Sequence, residues 1–238
     1  MGRRVLVTGA GRGLGFALTA LHLAAGDEVY AYEYALSDEL EALKMSHAGR
    51  LHIYKCDIGS TQSVENAMSA LVEKGGQLDI IYNVAGLYIQ GEREKGLAQT
   101  DLDDGMDMYN VNGVGLLRVC KAAFPLIGKG TLVVNITSEA GSITACDRAF
   151  EYMYCISKAA ANMASKLLSN ELHPLGARVI CINPGWMQTQ IGGERAADSP
   201  GSIPPEKSAK DILGIVGRID KIPHSHMFMW HHGTLLPW

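Results

Sequence analysis

The sequence predicts an α/β fold in which helices cover both faces of a doubly wound parallel β-sheet. Short apolar and β-branched runs, typical of buried strands, occupy residues 4–8, 28–32, 51–56, 79–83, 131–137 and 178–183. Segments with the 3.6-residue period of amphipathic helices alternate with these runs, over residues 13–25, 38–47, 60–74, 104–127, 154–172 and 206–219. Such alternation is typical of parallel sheets with right-handed crossovers. With 238 residues and no Pro-rich linker, we expect a single domain over residues 1–238.

Two segments, residues 86–103 and 184–205, lack both periods. Each begins where a predicted strand ends, and ligands of such sheets bind outside the carboxyl ends of the strands. We therefore expect two substrate loops. For residues 86–103, a solvated surface excursion is the alternative.

Composition and charge argue against several classes of function. The formal net charge of −4 and the absence of a basic cluster argue against a nucleic-acid partner. No run approaches the ~20 apolar residues of a membrane-spanning helix, so we expect no membrane association. The five cysteines, an odd number without CxxC spacing, indicate free thiols and a cytoplasmic protein.

Histidines cluster near the C-terminus, at His224, His226, His231 and His232. A zinc site is one interpretation, because His-x-His spacing suits that metal. No supporting carboxylate is evident nearby in the sequence, so we expect no metal.

A glycine-rich turn follows the first predicted strand. The pattern is TGxxxGxG over residues 8–15, and a helical period follows from Phe16. The GxGxxG fingerprint is not met, because Leu14 and Phe16 lie three positions after Gly11 and Gly13. The physical effect is the same, since bare backbone lets a pyrophosphate approach the amides of a helix N-terminus. The turn predicts a nucleotide-binding site; a mere strand-to-helix connection is the alternative.

Two charged residues favour different cofactors. Glu33 ends the second predicted strand, where an acid accepts the adenosine ribose hydroxyls and repels a 2′-phosphate. Arg12, inside the turn, favours the opposite choice because a guanidinium pairs with a phosphate. We expect NAD to be preferred, with NADP as the alternative. Glu33 as a solvated strand-end charge is a further alternative.

Tyr154 and Lys158 have the i, i+4 spacing that places two side chains on one helix face. A phenol near an ammonium and an oxidised nicotinamide is stabilised as phenolate and can exchange a proton with an alcohol or carbonyl oxygen. Taken alone, such a pair is usually just helix surface. Ser138 follows the fifth predicted strand, which places its hydroxyl at the ligand edge of the sheet.

These motifs together resemble the short-chain dehydrogenase/reductase family. The resemblance rests on TGxxxGxG at 8–15, Asp57, NxAG at 83–86, Asn112, Ser138, YxxxK at 154–158 and PG at 184–185. It implies a Rossmann-like sheet of about seven strands and hydride transfer to or from a nicotinamide. A narrower resemblance, to C-factor and sniffer-type carbonyl reductases, rests on residues 138–143, 184–189, Gly192-Gly193 and 236–238.

The resemblance also implies roles for single residues. Tyr154 would be the general acid/base, with Lys158 lowering its pKa and holding the nicotinamide ribose. Ser138 would bind the reacting oxygen, and Asn112 would anchor a water that relays the proton. The expected cofactor contacts are Gly9, Arg12, Gly13, Leu14, Glu33, Asp57, Ile58, Asn83, Ala85, Gly86, Tyr154, Lys158, Pro184, Gly185, Trp186, Met187 and Thr189.

The sequence therefore predicts an NAD(P)-dependent oxidoreductase acting on a small-molecule secondary alcohol or carbonyl. A dinucleotide-binding signalling or scaffold protein without significant turnover is the alternative. Candidates for lining the substrate pocket are Tyr88, Glu139, Tyr152, Trp186 and Met187. The helices at 104–127 and 154–172 carry more apolar surface than one sheet face requires, so we expect a homodimer or homotetramer.

Overall fold

The computed structural model describes residues 2–103 and 105–238, and its centre is one seven-stranded parallel sheet. The strand order is β3-β2-β1-β4-β5-β6-β7. The strands are β1 (Arg4–Thr8), β2 (Glu28–Glu33), β3 (Leu51–Lys55), β4 (Ile80–Asn83), β5 (Leu132–Ile136), β6 (Arg178–Asn183) and β7 (Phe228–Trp230). The doubly wound α/β fold predicted from the sequence is confirmed. The short β7 strand falls outside the six predicted runs.

Helices connect the strands. They are α1 (Gly13–Ala24), α2 (Asp38–Ser46), α3 (Thr61–Lys74), α4 (Met106–Met108), α5 (Gly115–Ala122), α6 (Tyr152–Leu172), α7 (Arg195–Asp198) and α8 (Pro205–Val216). The helix predicted over 104–127 is not uniform: a π-helical stretch, Tyr109–Val114, joins α4 to α5, and a separate 3-10 turn follows at Phe124–Leu126. The predicted first residue of that helix, Asp104, lies outside the described residues.

Two apolar layers flank the sheet, and successive residues of β1 point into opposite layers. Leu6 belongs to the layer that packs under α3, α5 and α6. Val5 and Val7 belong to the layer under α1 and α8. Because both faces are covered, the strands are continuous apolar runs rather than alternating ones.

The order of the strands places a reversal of the chain's winding at the carboxyl edge of the sheet. β1 pairs with β2 on one side and β4 on the other, so the winding direction reverses beside β1. Ligands of doubly wound sheets bind at this switch point. Thr8 links the ends of β1 and β4 at this point, because its Oγ1 accepts hydrogen bonds from the amides of Val84 (3.0 Å) and Ala85 (3.1 Å).

The two aperiodic segments cross this same edge. Residues 86–103 contain two single helical turns, Glu92–Glu94 and Leu97–Gln99, and residues 184–205 contain α7. Among the described residues, no helix combines the length and apolar character needed to cross a bilayer.

Candidate active site

The glycine turn is built so that only glycine fits at its tightest points. Gly9 and Gly13 have φ of 65° and 53°, in the left-handed region that side chains disfavour. A Cβ on Gly15 would lie 2.0 Å from the carbonyl oxygen of Gly9. Helix α1 begins here without a side-chain cap and without an acid in its first turn. Its first amides are therefore available to an anion.

A cavity of about 710 Å³ runs from this turn to the N-terminal half of α6. Most of the predicted cofactor residues line it: Gly9, Arg12, Gly13, Leu14, Glu33, Asp57, Ile58, Ala85, Gly86, Tyr154, Lys158, Pro184, Met187 and Thr189. This cavity, hereafter the crevice, is the candidate binding site.

Three predicted cofactor residues do not line the crevice. Asn83 is buried beneath it, where its amide donates to Asn135 Oδ1 at 2.8 Å. Trp186 turns away, because its Nε1 donates to the carbonyl of Gly192 at 2.9 Å. Gly185 backs onto His231, whose Nε2 would lie 3.2 Å from an added Cβ. The placement of these three residues depends on neighbours outside the short motifs in which they occur.

Glu33 is part of the crevice wall and is only 9% exposed. Its Oε2 accepts a hydrogen bond from the Gly11 amide at 2.5 Å, and its Oε1 accepts one from the Tyr34 amide at 3.2 Å. The alternative of a solvated strand-end charge is therefore wrong. The guanidinium of Arg12 donates to the side-chain oxygen of Gln190, across the crevice mouth.

Lys158 lies at the other end of the crevice with its ammonium buried. Its Nζ donates to the carbonyl of Ile136 at 3.2 Å and lies 5.8 Å from the ring centre of Tyr154. Burial lowers the pKa of Lys158 to about 8, and the charge of Glu139 opposes that shift. A weakly compensated cation therefore stands beside the tyrosine.

Burial also dominates Tyr154 and raises its pKa to about 12. A hydrogen bond with Ser138 opposes this shift, the carboxylates of Glu139 and Glu151 add to it, and Arg148 opposes it. We expected Lys158 to lower this pKa, but burial is the largest influence on it and Lys158 is not among the groups that shift it. The hydroxyl is therefore protonated at neutral pH, ready to donate to an oxygen.

Asn112 lies in the π-helical stretch and holds the start of the loop after β4. Its Oδ1 accepts from the Leu87 amide (2.7 Å), and its Nδ2 donates to the Leu87 carbonyl (2.8 Å) and to Ser157 Oγ (3.0 Å). π-Helical turns occur frequently at functional sites. Here the turn directs an amide side chain to the crevice wall.

The candidate substrate residues have different surroundings. Tyr88 is buried, packs edge-on against Tyr154 with ring centres 5.2 Å apart, and donates its hydroxyl to Glu151 at 2.8 Å. Glu139 accepts from Ser138 Oγ at 2.9 Å, and Met187 lines the crevice. Tyr152 is half-buried, and neither Tyr152 nor Trp186 lines the crevice.

A second cavity, of about 660 Å³, lies between residues 86–103 and residues 184–205. Its walls include Tyr88 and Arg93 from one loop and Gln190 and Arg195 from the other. Sequence reasoning missed Arg93, Arg148 and Glu151. These three carry no motif, and only the folded chain brings them together.

The C-terminal histidines have partners of other kinds. His231 Nδ1 pairs with Asp211 Oδ2 at 2.8 Å, and His224 packs edge-on against His173. In the part of the chain that the structure describes, no group of three or more His, Cys, Asp or Glu side chains is placed to hold a metal ion.

Tyr154 and Lys158 line the crevice, and Ser138 is outside its lining. A crevice at the switch point of a parallel sheet, opened by a glycine turn and ending at a Tyr–Lys pair, is typical of nucleotide-binding α/β oxidoreductases. This chain is one of that class. Residues 3–200 match the model of the family described as short chain dehydrogenase. The chain therefore belongs to the short-chain dehydrogenase/reductase family.

Three similar proteins place the chain within the family. C-signal from Myxococcus xanthus is 33% identical over 168 residues, which are 68% of this chain and 94% of that protein. Carbonyl reductase Sniffer of D. melanogaster aligns with a TM-score of 0.84 at 26% identity, over 100% of both chains. The NADPH-bound carbonyl reductase from chicken fatty liver aligns with a TM-score of 0.85 at 25% identity, over 99% of both chains. The predicted similarity to the C-factor and sniffer type is confirmed.

Proposed function

We propose that the protein interconverts a small secondary alcohol and the corresponding carbonyl compound by hydride transfer, using NAD(P) and Tyr154 as general acid/base. One observation carries the proposal. Tyr154 and the buried ammonium of Lys158, which lies 5.8 Å from the centre of the tyrosine ring, both line the crevice that the glycine turn opens. These groups suit proton transfer to a carbonyl oxygen.

The chain's own residues divide the work. In carbonyl reduction, Tyr154 donates its proton to the substrate oxygen, and Ser138 offers a hydrogen bond to the same oxygen. The charge of Lys158 stabilises the phenolate that remains. Asn112 holds the Leu87 backbone beside the site. By the resemblance to the family, Asn112 would also anchor a water that relays the proton. The nicotinamide, when bound, supplies or accepts the hydride.

NAD is the preferred cofactor in this proposal. Glu33 supports it, since a buried carboxylate next to the glycine turn suits ribose hydroxyls and repels a 2′-phosphate. The Arg12 guanidinium already has Gln190 as a partner. The NADPH bound to the chicken carbonyl reductase argues for NADP, so the two cofactors must be compared directly.

A spectrophotometric screen tests the function. Ketones, aldehydes and secondary alcohols are each offered with NAD(H) and NADP(H), and the nicotinamide absorbance is followed. We expect turnover of at least one class, and its loss in Tyr154→Phe. Cofactor binding without turnover of any compound would contradict the proposal and favour the second candidate, a dinucleotide-binding signalling protein. The similarity to the protein named C-signal supports that candidate.

We also propose that the protein is a homodimer or homotetramer assembled through α6. On the outer side of this helix, Ile156, Met163 and Leu167 are 51%, 62% and 59% exposed. Their spacing of seven and four residues places them along one face. An exposed apolar stripe of this kind is typical of a subunit interface.

A further inference from the structure

Glu151 is a buried carboxylate directly before helix α6, with 1% of its surface exposed. Its φ of 60° is the one positive value among the non-glycine residues that the structure describes. Left-handed backbone is disfavoured for such a residue and persists only where its surroundings enforce it. The enforcing contacts come from three other side chains.

Those three side chains belong to Tyr88, Arg93 and Arg148. The Tyr88 hydroxyl donates to Oε1 of Glu151 at 2.8 Å, and Arg93 Nε donates to the same oxygen at 3.0 Å. Arg148 donates to Oε2. Both oxygens of the carboxylate are therefore used, in bonds of the charge-assisted kind that are stronger than neutral ones.

The two arginines extend this network in opposite directions. Arg93 Nη1 donates to the Gly192 carbonyl at 2.6 Å, so it ties the loop after β4 to the loop after β6. Arg148 also binds Glu139, which in turn accepts a hydrogen bond from Ser138 Oγ. Positive and negative side chains therefore alternate along the network from Arg93, in the loop after β4, to Glu139, which binds Ser138.

Tyr88 connects the same network to the catalytic tyrosine. Its ring meets the ring of Tyr154 edge-on with centres 5.2 Å apart, and the Arg93 guanidinium lies 5.0 Å from the centre of the Tyr88 ring. The bond to Glu151 fixes the hydroxyl end. The ring can therefore shift only if Glu151 or Arg93 releases it.

We infer that Glu151 is a positioning residue for the reaction: it fixes Tyr88 and Ser138 around Tyr154 and anchors the contact between the two substrate loops. This inference rests on the proposed function for its kinetic consequences. Its consequence for loop anchoring does not depend on turnover.

The charges around Tyr154 give the inference a signature that packing alone would not produce. Lys158 faces it from α6, Glu139 from the segment after β5, and Glu151 and Arg148 from the segment before α6; Arg93 lies behind Tyr88 in the loop after β4. Glu151 raises the pKa of Tyr154, and Arg148 lowers it. Neutralising Glu151 should therefore shift the pH profile of kcat in one direction, and neutralising Arg148 should shift it in the other.

The experiment compares Glu151→Gln with Arg148→Gln and with Glu171→Gln, a matched control at the exposed far end of α6. Alcohol oxidation is measured against pH at saturating cofactor. We expect kcat to fall about tenfold or more in both network variants. The rising limb should shift to lower pH in Glu151→Gln and to higher pH in Arg148→Gln. Cofactor affinity should fall less than kcat, because Arg93, Arg148 and Glu151 do not line the crevice and reach it only through the loop that carries Met187 and Thr189.

Hydrogen exchange supplies the readout that needs no turnover. In Glu151→Gln, amides of residues 187–193 should exchange faster than in wild type, since Arg93 loses its anchor; in Glu171→Gln they should not. Should Glu151→Gln fail to fold, Tyr88→Phe removes a single hydroxyl and should still lower kcat severalfold. Unchanged exchange, or pH profiles that shift in the same direction or not at all, would overturn the inference. A wild-type protein without any turnover would instead overturn the proposed function, and exchange would still decide the anchoring role.

Discussion

The amide of Gly11 donates a 2.5 Å hydrogen bond to the carboxylate of Glu33. The acid at the end of β2 is thereby a structural part of the glycine turn. A Cβ on Gly11 would lie 2.9 Å from Cγ of Glu33, so the backbone and the carboxylate are in direct contact. Any group that enters here must exchange hydrogen bonds with this carboxylate.

Cofactor preference follows from this contact. We predict that NAD(H) exceeds NADP(H) in kcat/KM by about 10–100-fold, because a 2′-phosphate beside Glu33 is repelled in a partly desolvated crevice. Glu33→Gln removes the repulsion and should reduce that ratio. The measurement is kcat/KM for both cofactors in wild type and variant, with Arg12→Gln as the companion. If wild type prefers NADPH and Glu33→Gln leaves the ratio unchanged, Arg12 governs the choice.

Tyr154→Phe tests the general acid/base. The substitution deletes the hydroxyl and keeps the ring against Tyr88, so kcat should fall by about 10²–10⁴-fold while cofactor affinity changes little. Ser138→Ala should chiefly lower kcat. Steady-state kinetics and cofactor titration by fluorescence separate the two effects. Activity retained within about tenfold of wild type would rule out Tyr154 as the proton donor.

We predict that the buried ammonium of Lys158 lowers the stability of the folded protein. Its pKa of about 8 in the folded chain lies below the ~10.4 of an unfolded one, so burial disfavours the charged form. The resulting destabilisation is complete below the folded pKa and disappears as pH rises towards the unfolded pKa. We predict that Lys158→Met unfolds at higher temperature than wild type at pH 7, by an amount corresponding to about 2 kcal/mol, although turnover is lost.

The control for this prediction is Lys166→Met, an exposed lysine on the same helix. Its effect on the melting temperature at pH 7 should be small. Melting curves recorded from pH 7 to about 10 should show the advantage of Lys158→Met shrinking. An advantage that grows with pH would contradict the sign of the effect.

The exposed stripe on α6 predicts assembly. Leu167→Glu places a charge in the proposed interface and should reduce the mass in solution to that of a monomer. Met45→Glu, at a methionine on α2 that is more exposed than Leu167, should leave assembly unchanged. Light scattering at micromolar concentration measures both. A monomeric wild type would contradict the prediction.

The sequence predicted the strands and the proximity of Tyr154 and Lys158, because both signals are local. Thr8 to Gly15 form one continuous turn, and Tyr154 and Lys158 are one helical turn apart. The strand Phe228–Trp230 was missed, since three residues are too few to show a period. Its pairing with β6 is what defines it.

The direction in which a side chain points was also not predictable from the sequence. Asn83 was predicted to lie along the cofactor, yet its amide binds Asn135 on the neighbouring strand. Arg93 and Glu151 are 58 residues apart, and only the crossing of two loops brings them into contact. Such pairs depend on tertiary structure, which no local pattern of residue types encodes.

The π-helical stretch Tyr109–Val114 has a consequence for insertions and deletions. A π turn contains one residue more than the regular α-helical turn it replaces. Deleting Val111 would restore regular winding, and it would also rotate Asn112 away from Leu87. A shortened chain should therefore turn over more slowly. A calorimetric scan beside an activity assay would reveal whether the regular winding offsets the hydrogen bonds that the buried Asn112 loses.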